Sequence, residues 1–139
     1  RDDIQTSKSS RLMIVSGLIL LAFIVYHLLH FTVHAGNDYG SAAYKTSLDG
    51  HEVHNVYKMV VDGFSWVPAS VFYIVAMGFL CSHLSHGVSS MFQSLGWKNK
   101  AYGPFLDKAS RVIAVLIFLG YVSIPAAILI LGYGKDVPR

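Results

Sequence analysis

The 139-residue chain is 53% hydrophobic and only 14% charged, with a net charge of +3, seven histidines and one cysteine. Soluble domains carry about 25% charged residues, so the shortfall points to lipid. One cysteine, Cys81, excludes an internal disulfide, and the mild, unclustered basic excess excludes a nucleic-acid-binding face.

The distribution of charge divides the chain. No Asp, Glu, Lys or Arg lies between Arg11 and Asp38, between Asp62 and Lys98, or between Arg111 and Lys135. A membrane-crossing helix needs roughly 20 mostly apolar residues at 1.5 Å each, and all three stretches are long enough. Soluble bundles show polar stripes at helical spacing, whereas these segments are apolar nearly all round. A cleaved signal peptide has a shorter apolar core and a small-residue cleavage site, neither of which the first segment shows. The sequence therefore predicts an all-α integral membrane helical bundle, a single membrane domain over 1–139.

The first span is expected at about 11–35, with Ser9 and Ser10 as capping residues before it. The connection from Gly36 to Ser65 is polar. Its middle, from Asp49 to His54, reads as a turn followed by a short surface element. The second span is expected at about 66–95, with Pro68 near its start, where proline is tolerated. A short basic connection, Gly96 to Ala109, leads to the third span at about 110–133. Pro125 lies inside that span, where membrane helices accommodate a kink. Lys/Arg bias sets orientation. Arg1, Lys8, Arg11, Lys98, Lys100, Lys108 and Arg111 outnumber Lys45, Lys58, Lys135 and Arg139, which places the N-terminus and the second connection in the cytoplasm. Trp66, Trp97, Tyr102 and Tyr133 fall near segment ends, as interfacial aromatics do.

Ionisable residues inside membrane segments are costly and each is a functional hypothesis. The first segment contains His27, His30 and His34, and the second contains His83 and His86. Neutral imidazole is a good axial ligand for haem iron, and in bundles such ligands project inward from facing helices. Interhelical hydrogen bonding is the simpler role for any one of them, but five on two helices favour a cofactor. His34 is expected to be hydrated at the outer interface, and His51 and His54 to be surface residues. His27 lies roughly 7 Å outward of its segment's centre, and His83 roughly 12 Å towards the cytoplasm, at 1.5 Å per residue. One iron takes two ligands at nearly one depth. His27 and His83 are therefore expected to serve different haems, each with a partner ligand from elsewhere. Gly17, Gly78 and Gly87 either make room for a porphyrin or allow close helix contact.

The residues at this point carry a family resemblance. Ser10-Arg11-Leu12-Met13, Ser16-Gly17 and His27-Leu28 resemble the third membrane helix of the five-helix, two-haem cytochrome b subunit of succinate:quinone oxidoreductases. Tyr73 to Trp97, with His83-Leu84-Ser85-His86-Gly87 and Gln93-Ser94-Leu95-Gly96, resembles the fourth. The third span would be the fifth, which carries no haem ligand. The resemblance covers nearly the whole chain and is most specific over His-x-x-His-Gly to Gln-x-x-Gly. It implies that His27 ligates the distal haem and His83 the proximal haem. His30 and His86, one turn away, are then propionate, quinone or polar-network residues, or alternative ligands. Arg11 is a candidate propionate partner, with anchoring as its simpler role.

The family's first two helices have no counterpart here. They are expected in a missing N-terminal part, since the sequence starts at Arg1 without Met, or on a second anchor chain. The resemblance further implies two b haems per complete subunit, a membrane quinone of the menaquinone type, and partner flavoprotein and iron–sulfur subunits that interconvert succinate and fumarate. It implies the bacterial cytoplasmic membrane, and no catalytic dehydrogenase residue in this chain. Three other readings remain open: a three-helix anchor sharing one haem with a partner chain, a histidine-lined transporter, and an accessory subunit without haem.

Overall fold

The computed structural model describes residues 8–134, with side chains from Leu12 onward. The chain is mostly helical. In order it forms α1 (Lys8–Phe31), a 3-10 turn at Ala42–Tyr44, strands β1 (Lys45–Leu48) and β2 (His51–His54), and helices α2 (Val56–Ser65), α3 (Val67–Ser94) and α4 (Gly103–Ile130). Three stretches, Leu12–Phe31, Val67–Ser94 and Gly103–Ile130, are long and apolar enough to cross a membrane. Within their most apolar windows only 11%, 22% and 17% of residues are buried by the chain itself. Helices this apolar and this uncovered need an apolar surrounding.

Helix ends follow local chemistry. Ser9 and Ser10, expected before α1, lie within its first turn. The helix stops at Phe31, four residues before the expected Ala35, because His34 adopts the left-handed region at φ 60. Its Nε2 donates to the Phe31 carbonyl at 3.1 Å, satisfying one of the groups a helix end leaves unpaired. His34 thus also caps the C-terminus of the helix. Asn55 caps α2 by accepting from the Lys58 N–H at 3.0 Å. At the α2–α3 junction, Pro68 has no N–H to offer. The wholly buried Ser70 instead donates its hydroxyl to the Phe64 carbonyl at 2.6 Å.

The C-terminus of α3 is a Schellman motif. Gly96 takes φ +73, Trp97 N–H reaches the Phe92 carbonyl and Gly96 N–H the Gln93 carbonyl. The Phe92 and Trp97 rings stack 5.9 Å apart. The Gln-x-x-Gly part of the sequence motif therefore has a structural role as a helix stop.

Two further expectations need correction. The third span starts at Gly103, seven residues before Ser110, so Asp107 and Lys108 are inside the helix. The charge at Asp107 is tolerated because Lys98 Nζ pairs with it at 2.8 Å and the Ser89 hydroxyl donates to it. The polar connection is also more ordered than an all-α reading allows. It holds an antiparallel hairpin with Lys45 opposite His54 and Leu48 opposite His51. Asp49 and Gly50, both at positive φ, form its two-residue turn, the favoured hairpin chemistry. The following helix α2 buries Met59, Val61, Gly63 and Phe64.

Contacts group the chain into two compact units. One comprises residues up to Leu21 with Val75–Tyr121, and the other Ala22–Ile74 with residues from Val122 onward. In the second unit the core is aromatic, with Phe23, Tyr39, Tyr44, Phe64 and Tyr73 all buried. Gly63 is required there, since a Cβ on it would lie 2.8 Å from the Phe31 ring.

Candidate functional site

In the first unit α1 presents Ser16 and Gly17, one turn after Met13, to His83 on α3. The Ser16 hydroxyl lies 2.9 Å from His83 Nδ1 and donates to the Met13 carbonyl at 3.1 Å. A Cβ on Gly17 would stand 3.5 Å from His83 Cε1, an ordinary van der Waals contact, so the imidazole lies alongside α1 at this residue. His83 Nε2 makes no hydrogen bond among the described residues. His86, one turn on, is exposed. A Cβ on Gly78 would stand 3.9 Å from the Phe118 ring, and one on Gly87 3.9 Å from the Met13 methyl, so both glycines face neighbouring helices.

In the second unit Tyr73 of α3 brings two expected residues together. Its hydroxyl is 3.3 Å from His27 Nδ1 and 3.2 Å from His30 Nδ1. A hydroxyl has one proton to donate, so at most one of these nitrogens accepts it. The other imidazole carries its proton on Nδ1 and presents a bare Nε2, the form that binds a metal. His27 is exposed, whereas His30 is half-buried, so His27 is the imidazole with room for an outside ligand. The two rings follow each other on one helix face at i and i+3. They therefore cannot take opposite faces of one porphyrin.

The Tyr73 ring is held edge-on by Phe23 and Phe64, at centroid distances of 5.2 and 5.0 Å. His30 is further fixed by Asn37, whose side-chain amide donates to the His30 carbonyl at 2.9 Å. It lines a cavity of about 410 Å³ together with Tyr26, Asn37, Tyr39, Gly63 and Trp66. That volume lies in the range of small-ligand sites, roughly 300–1,000 Å³.

Around the hairpin the buried Tyr44 donates its hydroxyl to Asp62 at 3.0 Å. Burial, and then that hydrogen bond and the carboxylate's charge, push its phenol up to about 12. Tyr39 is raised as well, mainly by burial and then by Asp62. His51 and His54 are exposed, as expected, and His54 stacks on His34 at 5.5 Å.

Among the described residues no group of three or more His, Cys, Asp or Glu converges as a metal-ion site. Haem iron would instead ask for a single imidazole on each of its faces. Both imidazoles, engaged at Nδ1 and unengaged at Nε2, fit that group. Arg11 falls in α1, and its side chain lies outside the described residues. Ser16 and Tyr73 entered the sequence reading only as parts of the family stretches. The visible signal was a hydroxyl within an otherwise apolar helix.

Comparison of the chain with protein-family models, with curated proteins and with solved structures finds no match.

Proposed function

We propose that the chain is the haem b-carrying membrane subunit of a succinate:quinone oxidoreductase, with α1, α3 and α4 as three helices of a five-helix membrane bundle. The observation that carries this reading is chemical. Each of two apolar helices holds an imidazole tied at Nδ1 by a hydroxyl, Ser16 to His83 and Tyr73 to His27, and unengaged at Nε2 among the described residues. Hydrogen-bond partners at the other ring nitrogen fix the tautomer and orientation of metal-bound histidines.

In this reading His27 and His83 would each hold a haem of its own through Nε2. Any second ligand would come from a helix other than α1, α3 and α4, in the same polypeptide or on a second anchor chain. Haem b, when bound, supplies one-electron transfer. The chain's own residues hold the ligands rigid, exclude water through the aromatic shell around Tyr73, and set the polarity near the iron. His30 faces the cavity with Tyr39 and Trp66, which suits a flat quinone ring of the menaquinone class. The basic residues of the α3–α4 connection face the cytoplasm of a bacterial cell, where the iron–sulfur and flavoprotein subunits dock.

The test is a reduced-minus-oxidised visible spectrum of membranes carrying the tagged chain, with succinate as reductant. A b-type signal that succinate reduces, and that co-purifies with the chain together with flavin and iron–sulfur clusters, is expected. A tagged chain that purifies without haem would overturn the proposal.

A further inference from the structure

The hydrogen bonds around His83 have a direction. The Ser16 hydroxyl owns one proton. The Met13 carbonyl, 3.1 Å away, is purely an acceptor, whereas His83 Nδ1, 2.9 Å away, can accept or donate. Both contacts are satisfied together only if Ser16 gives its proton to Met13 and receives the proton of Nδ1. The reverse assignment leaves one proton for two acceptors inside an apolar helix pair, where an unmade hydrogen bond is costly. Serine hydroxyls bond readily to the carbonyl of the preceding helical turn, so the relay is built into the α1 backbone and needs no further group.

We propose that Ser16 is a positioning residue for His83, acting through a one-way relay from His83 Nδ1–H to the Ser16 hydroxyl to the Met13 carbonyl that locks the imidazole in the tautomer with a bare Nε2. An imidazole without a partner at Nδ1 carries its proton mainly on Nε2, the nitrogen that a haem iron would need. Gly17 lies beside the relay, where a Cβ would stand 3.5 Å from His83 Cε1 in ordinary contact. The ligand role of His83 rests on the proposed haem function, but the relay itself belongs to the protein alone.

The experiment has two readouts. Nitrogen-15 NMR of histidine-labelled, haem-free full chain in lipid nanodiscs reports which ring nitrogen of His83 is protonated, with assignment by H83A. The wild type is expected to show Nδ1–H, S16A to move to mostly Nε2–H, and S16T, which keeps the hydroxyl, to restore Nδ1–H. A wild type on Nε2–H, or an S16A variant with an unchanged tautomer, overturns the relay whether or not haem ever binds. In the native complex S16A is expected to weaken haem retention at this site about 10- to 100-fold, the usual effect of losing such a partner. Retention at the wild-type level would overturn the positioning role, whereas a complex without haem would sink the functional reading and leave the NMR result to decide the relay.

Discussion

Replacing Tyr73 with phenylalanine removes one oxygen from the structure and leaves the ring. That oxygen lies 3.3 and 3.2 Å from the Nδ1 atoms of His27 and His30, and the ring keeps its edge contacts with Phe23 and Phe64. A net hydrogen bond contributes about 0.5–1.5 kcal/mol. Because His27 is exposed and re-solvates more easily than the half-buried His30, the expected loss lies at about 1–2 kcal/mol. Y73A also empties the aromatic shell and is expected to lose about 3–5 kcal/mol, as large-to-small aromatic truncations do. Thermal unfolding of the full chain in nanodiscs measures both. In a haem-loaded complex, Y73F should also weaken retention at His27 about 10- to 100-fold and leave unchanged a haem at His83, whose ring Ser16 positions. Equal damage from Y73F and Y73A would refute the division between ring and hydroxyl, and so would a Y73F variant indistinguishable from wild type in both stability and haem.

G63A places a methyl 2.8 Å from a Phe31 ring that Tyr39, Phe64 and His30 hem in. Overpacking of this kind costs about 1–3 kcal/mol; unfolding in nanodiscs should show it, and an unchanged midpoint would mean that the ring moves freely. Tyr44 provides a pH test. Its phenol is raised to about 12, so the fold favours the neutral form. Its stabilisation is complete below the ordinary tyrosine value of about 10 and is lost as pH climbs from there through about 12. The tyrosinate absorbance of wild type minus Y44F should therefore appear only near the upper end of that window. Ionisation near 10 would contradict the burial of Tyr44 and its contact with Asp62.

The three spans were legible because charge exclusion over twenty or more residues depends on composition and needs no tertiary information. Their ends were less so. The early start of α4 was hidden by Asp107 and Lys108, which read as loop charges until Lys98 is seen to pair with the carboxylate and Ser89 to donate a hydrogen bond to it. The end of α1 at Phe31 depends on His34 taking a left-handed conformation that glycine would have advertised. The hairpin left a trace in Asp49-Gly50, but Lys45-Thr46-Ser47-Leu48 shows no apolar alternation and both strands are largely exposed. Of the site, the histidines could be picked out as ionisable groups in apolar helices. Their partners could not, because Ser16 meets His83 across 67 residues and Tyr73 meets His27 across 46, and no local pattern encodes such pairings. The motif glycines divide in the same way: Gly17 lies against His83, whereas Gly96 serves the helix end.

The most direct test of the central claim is haem content per chain in the purified native complex, for wild type, H27A, H83A and the double variant. Two b haems are expected in the wild type, one in each single variant with a different spectral component lost in each, and none in the double variant. Two haems surviving in either single variant, or a wild type without haem, would contradict the assignment of His27 and His83 as ligands.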